Sequence, residues 1–274
     1  MYFLASSPIM KSSRLKNPAQ KGVQEMMKRN IRLKIEYDGT RYQGWQKLGK
    51  NVNANTIQGK LESVLSKMTG ESIQVIGSGR TDAGVHACGQ VANFHTDCGF
   101  SCQEIKEYLT KYLPSDIGLL TADEVAERFH SRLNSKQKTY QYRIAVPGTV
   151  NVFERKYLWK YPKTLDIEKM NKAASFCLGT HDFLGFSSVK KTKKSTVRTI
   201  SSIVIEEGHR EVRISFTGDG FLYNMVRILT GTLAEVGAGT RDPESILHVF
   251  QSKDRKDAGI TAPPQGLFLM NVEY

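Results

Sequence analysis

The stretch GSGRTDAGVHACGQ, Gly77–Gln90, sets Arg80, Asp82 and His86 among four glycines and follows neither the period of a strand nor that of a helix. Glycine-rich runs of this kind often cradle phosphate, but both common cradles fail in detail here. A Walker loop needs a lysine after its last glycine, and the dinucleotide fingerprint needs a third glycine three residues after the second. In this chain Gly79 is followed by Arg-Thr-Asp. From the residues alone Asp82 has two readings: a turn aspartate bonded to its own backbone, or a carboxylate placed for chemistry.

The flanks of the motif set the fold class. Upstream, IRLKIEY (Ile31–Tyr37) alternates apolar and charged residues at period two, the pattern of a half-buried strand. A turn-rich DGTRYQGWQ follows, and then TIQGKLESVLSKMTG puts Ile57, Leu61, Val64, Leu65 and Met68 on one helical face before Gly70. IQVIG (Ile73–Gly77) and QVANFHT (Gln90–Thr96) read as strands on either side of the motif. Ser101 and Glu104 form a capping-box pattern that opens a helix to Leu113, ended by Pro114.

A second half repeats the mixture. TYQYRIAV puts Tyr140, Tyr142, Ile144 and Val146 on one strand face, Asp166 to Leu178 reads as a helix closed by Gly179, and ISSIVIEE and REVRISF form a hairpin. GFLYNMVRILTGTLAEVG (Gly220–Gly237) is an apolar helix, Asp242-Pro243-Glu244 opens another, and GLFLMNVEY ends the chain as a strand. The expected fold class is α+β, with two similar lobes, 31–135 and 136–274, sharing a mainly antiparallel sheet with a central basic cleft. Residues 1–30 carry six basic residues and one acid without periodicity and read as a flexible basic arm.

Charge narrows the partners. The net charge is +12 over 274 residues, and +7 remains when the arm is set aside, so the excess belongs to the body. A basic body of this size favours a polyanion, nucleic acid ahead of membrane, because no basic amphipathic helix stands out. The four cysteines are too few for a disulfide framework and are read as thiols in a reducing, cytoplasmic protein. His95, Cys98 and Cys102 lack the spacing of a zinc site, and no metal is expected. The run SSVKKTKKSTVR (Ser187–Arg198) has five cations and no acid, and reads equally as a solvated loop or as a phosphate contact. Arg227, flanked by Met225, Val226, Ile228 and Leu229, must either snorkel to water or find a carboxylate.

GRTDAGVHACGQVANF (Gly79–Phe94) closely resembles the motif of the TruA family of tRNA pseudouridine synthases. YDGTRYQGWQ, TIQGKLE, FHSRLNSKQKTYQYRI, DFLGFSS, RTI, FLYNMVRILTGTLAEVG and TAPPQGLFL resemble further family blocks in the family's order, from about Ile31 to the end. The resemblance implies isomerisation of uridine to pseudouridine without a cofactor, with Asp82 as nucleophile and Arg227 as its ion-pair partner. It implies that Tyr140 stacks on the target uracil, its hydroxyl being able to assist removal of the C5 proton. Arg80 would contact phosphate or fill the space left by the flipped nucleotide, and Leu267 would floor the pocket. Gly79 and Gly84 are read as permitting close backbone approach. The resemblance further implies a homodimer and a target in the anticodon stem-loop of tRNA, at nucleotides 38–40. Three alternatives stand beside it: a non-catalytic RNA-binding protein on the same scaffold, a synthase acting on another RNA such as rRNA, and an RNA N-glycosidase.

Overall fold

Alternation in the first strand is what anchors the sheet. In the computed structural model, which describes residues 28–47, 55–149, 152–189 and 194–274, β1 spans Arg29–Tyr37 and buries Ile31, Leu33, Ile35 and Tyr37 on one face. It begins two residues before the expected Ile31, because the Arg29 side chain pairs with Glu124 and the carbonyls of Cys98 and Phe100. Most of the expected N-terminal arm, residues 1–27, lies outside the described residues.

Helix α1 (Ile57–Thr69) is capped by the Thr56 hydroxyl on the Gly59 amide and closed by left-handed Gly70. It buries Ile57, Leu61 and Leu65 fully, each contributing about 2 kcal/mol of hydrophobic transfer. The short β2 (Ile76–Gly77) and the long β3 (His86–Thr96) flank the glycine-rich motif. β3 takes in His86 to Gly89, so the motif's second half is strand, contrary to its patternless appearance. Its residues are buried on both faces, which erases the alternation that marks β1. Helix α2 (Cys102–Tyr112) carries the reciprocal Ser101–Glu104 capping box. β4 (Ile117–Val125) was not legible from the sequence. β5 (Gln137–Ala145) and the two-residue β6 (Trp159–Lys160) follow.

Helix α3 (Ile167–Ser175) starts at its Asp166 cap but stops three residues short of Leu178. Gly179, at φ 93°, opens β7 (Gly179–Asp182). β8 (Val197–Glu207) and β9 (Glu211–Gly218) form the expected hairpin. Helix α4 (Met225–Gly237) begins five residues later than the apolar run suggests, because Asn224 turns the chain through a left-handed conformation at φ 61°. α5 (Ser245–Ser252) and β10 (Leu267–Glu273) complete the chain.

Ten strands form one sheet in the order β4-β1-β3-β10-β5-β9-β8-β7, with β2 on β3 and β6 on β5. The architecture is α+β with a mostly antiparallel sheet; β10 with β3 and β5 with β6 are the parallel pairs. The C-terminal strand is the seam, because β10 joins β3 from the first half of the chain to β5 from the second. α1 packs on α2, which rests on β4, while α3 packs on α4 and β8, and α4 reaches β5. Tyr37, Ala87, Leu269, Tyr140 and Phe216 are successive cross-strand partners, so one sheet face runs unbroken from β1 to β9 across the seam.

Candidate active site

The motif loop, Ser78–Val85, is pinned along its backbone and by the buried Ser78 and Thr81 side chains. The Ser78 amide donates to Val91 O at 2.8 Å, and its hydroxyl donates at 2.7 Å to Gln90 Oε1, whose own amide reaches Gly79 O. The Trp45 amide donates to Thr81 O at 3.0 Å, and the Tyr37 hydroxyl pairs with Thr81 Oγ1 at 2.8 Å. This approach requires Gly44: it sits at φ 96°, and a Cβ there would lie 2.6 Å from Thr81 O. Gly84 likewise needs its φ of 79°. Gly79 does not, since a Cβ there would meet nothing closer than 3.6 Å. Within the protein alone, close packing therefore does not explain Gly79.

Asp82 and Arg227 come together across the two halves of the chain. Arg227 Nη1 lies 3.4 Å from Asp82 Oδ2, with the side chains 15% and 29% exposed. The guanidinium is held more tightly by neutral groups: Nη1 donates to Asn224 Oδ1 at 2.8 Å and Nε to Ala262 O at 2.7 Å. The Ala262 amide returns a bond to Arg227 O at 3.0 Å. Of the two options read from sequence, Arg227 has found its carboxylate, but through one long contact and not a bidentate fork. The balance shows in Asp82, whose pKa is raised above the ordinary carboxylate value because burial outweighs the opposing attraction of Arg227.

Tyr140 is 8% exposed on β5, its ring edge-on to Phe221 at 5.3 Å. Burial, with smaller contributions from Tyr37 and Asp82, pushes its phenol far above the usual value, so the hydroxyl stays protonated near neutral pH. Leu267, 6% exposed, lies opposite Tyr142 across β10 and β5, and Leu269 lies opposite Tyr140. Leu267 and Leu269 thus form an apolar strip at the seam. The Tyr142 hydroxyl donates to Pro263 O at 2.6 Å, fixing the turn that carries Ala262. Arg80 is exposed beside Gly79 and makes no hydrogen bond or ion pair among the described residues.

Several side chains of this site were not singled out by sequence reasoning. Gln90 lies inside the motif itself, Asn224 precedes Arg227 by three residues, and Lys138 precedes Tyr140 by two, so helical and strand periods signal the last two. Ala262 carries no signal, since it acts through its backbone. Other candidates stay apart from the site. His95 engages Glu127 O at 3.2 Å, and Cys98 is buried as a free thiol. Among the described residues no cluster of histidine, cysteine and carboxylate side chains is placed to hold a metal, and no helix is long and apolar enough to cross a membrane. In the basic run, residues 190–193 lie outside the described residues, but its start is tied to the site: Asn224 Nδ2 donates to Ser188 Oγ at 3.0 Å.

The comparisons with known proteins agree in direction. A family model described as tRNA pseudouridine synthase matches residues 34–134 and 173–274. The chain is 50% identical over 245 residues to "tRNA pseudouridine synthase A" of Bacillus sp. (strain KSM-64), covering 89% of this chain and 99% of that protein. It is 47% identical, with the same coverage, to "tRNA pseudouridine synthase A 2" of Bacillus cereus (strain ZK / E33L). It is 49% identical over 246 residues to "tRNA pseudouridine synthase A 1" of Clostridium tetani (strain Massachusetts / E88), covering 90% of this chain and 100% of that protein.

Proposed function

Because the chain belongs to the tRNA pseudouridine synthase family, whose members are isomerases, we propose that it converts uridine to pseudouridine in the anticodon stem-loop of tRNA, with Asp82 as the nucleophile. The observation that carries this reading is the meeting of Asp82, on a loop from the first half, with Arg227 from the second, beside a buried tyrosine. The reaction must break the N1–C1′ bond, turn the uracil over, join C5 to C1′, and move the C5 proton away while N1 gains one. One anionic group near the sugar and a pocket that retains the free base satisfy those needs. Among the described residues, Arg227 is the one charged group that shifts Asp82. A lone carboxylate favours transfer within a closed site over hydrolysis, for which a glycosidase uses two.

Asp82 must be ionised to attack at either C1′ or C6, and its pKa is raised by burial. Activity is full above that raised pKa and falls as pH drops through it, so the acid limb of the single-turnover rate lies above the pKa of an unperturbed aspartate. An acid limb at or below the unperturbed value would refute the assignment. Tyr140 supplies a ring for the flipped base to stack on. Its protonated phenol is a poor base, so the hydroxyl contributes as a hydrogen-bonding group. Tyr140→Phe is expected to bind RNA nearly as well and to react about 10-fold more slowly in single turnover; an unchanged rate would confine the hydroxyl to a structural role.

The basic body and the exposed, unpaired Arg80 suit an RNA backbone, from which the target nucleotide must be extruded. Affinity for tRNA should fall with salt, with a log–log slope of about −3 or steeper; a flat response would remove the polyanion argument. The proposal includes a homodimer and a cytoplasmic location. Its decisive test is pseudouridine mapping at single-nucleotide resolution on unmodified tRNA transcripts, with Asp82→Ala beside the wild type. Modification at nucleotides 38–40, lost in the variant, is the expected result. Modification elsewhere in tRNA would overturn the target, and binding without modification would favour a non-catalytic RNA-binding protein.

A further inference from the structure

Lys138 stands beside the site with a charge that no acidic side chain among the described residues pairs with. It lies two residues before Tyr140 on β5, so both side chains leave the same sheet face. Its Nζ donates to Ser78 O at 2.7 Å. A Cβ built on Gly79 would lie 3.6 Å from that Nζ and 3.9 Å from the Tyr140 hydroxyl. Lys138, Tyr140 and the Gly79 backbone thus meet at one point of the site, three residues ahead of Asp82 in the loop. An ammonium has three donors, and among the described residues this one has a single acceptor. Among the described residues no acidic side chain pairs with it, and the charged groups that act on it are Arg132 and Arg198. Burial, reinforced by those two guanidiniums, brings its pKa down to about 8.

Holding one loop carbonyl needs a donor and not a charge. A half-buried ammonium in the field of two guanidiniums is unfavourable in the free protein and becomes favourable when an anion binds beside it. Resting on the reading of the site as an RNA-modifying one, we propose that Lys138, with Arg198 and Arg132 around it, binds the phosphodiester group that flanks the extruded nucleotide and so fixes the sugar over Asp82. Lys138 is then a positioning residue, and its contribution to binding is electrostatic.

The test is the salt dependence of tRNA-transcript binding by the full-length protein, compared among wild type, Lys138→Gln and Lys138→Arg. Glutamine keeps a donor for Ser78 O and removes the charge, whereas arginine keeps the charge. Lys138→Gln is expected to weaken binding about 10-fold and to reduce the log–log slope by about 0.7–0.9, the loss of one phosphate contact. Lys138→Arg is expected to retain the slope. A purely structural lysine would leave the slope of Lys138→Gln unchanged, and that result overturns the proposal. Loss of slope in both Lys138 variants would indicate a disturbed loop and overturns it as well. Thermal melts check folding first; if Lys138→Gln unfolds, Arg198→Gln carries the same expectation and the same refutation. Pseudouridine formation by the wild type on the same transcripts is read separately. Binding with the expected slopes but without pseudouridine would refute the activity and leave the phosphate site standing.

Discussion

Asp82→Asn is expected to lower the single-turnover rate of pseudouridine formation by at least about 10^4-fold, the scale on which loss of a nucleophile is felt, while RNA binding survives. Asparagine keeps the shape and can still accept from Arg227 through Oδ1, so the loop should keep its place between Trp45, Tyr37 and Gln90. The variant should also be more stable than the wild type. Because the folded-state pKa of Asp82 is raised, the carboxyl favours the fold in its protonated form, and that contribution is lost as pH rises through the folded pKa. Asparagine mimics the protonated form, so its melting temperature should exceed the wild type's at neutral pH. The gap should narrow as pH falls through the folded pKa and close below the unfolded one. Near-normal turnover by Asp82→Asn would end the nucleophile assignment. Equal melting temperatures at neutral pH would show instead that Arg227 fully offsets the burial of the carboxylate.

The second large effect falls on Arg227. Arg227→Met removes the one charge that lowers the Asp82 pKa, together with the bonds to Asn224 and Ala262. A rate loss of about 10^3-fold is expected, because a misplaced and partly protonated nucleophile loses both orientation and ionisation. The acid limb should move to higher pH, since only burial would then act on Asp82. Arg227→Lys restores a positive charge but not the planar fork that serves Asn224 and Ala262 at once. It should bring the acid limb most of the way back and leave the rate about 10^2-fold low. An acid limb that stays in place in Arg227→Met would show that the 3.4 Å contact does not couple the two groups.

How much of this was legible before the fold was known depends on how local each cause is. β1 and α1 could be read because a single burying face leaves a period in the sequence. The capping box of α2 is local for the same reason: both bonds run between Ser101 and Glu104. β4 escaped because its burial fades after Leu119 into Thr121, Asp123 and Glu124 at the rim of the sheet, which leaves too short a pattern. The start of α4 was placed too early because apolar periodicity reports the buried face and not the backbone; the left-handed turn at Asn224 is what fixes it.

The sequence by itself determined the fold class and, through the family resemblance, which residues to examine at the site: Asp82 in its motif, Tyr140 on a strand face, and Arg227 as a guanidinium among apolar neighbours that had either to reach water or to find a carboxylate. The tertiary structure decided how they act on one another. It set β10 between β3 and β5, brought Arg227 to Asp82 through one long contact, and left Lys138 without an acidic partner among the described residues. The physical reason is that residue type and period report the local preferences of backbone and side chain. Ionisation and hydrogen bonding at the site depend on desolvation and on distances between groups as much as 145 residues apart in the chain, and only the packed fold fixes those.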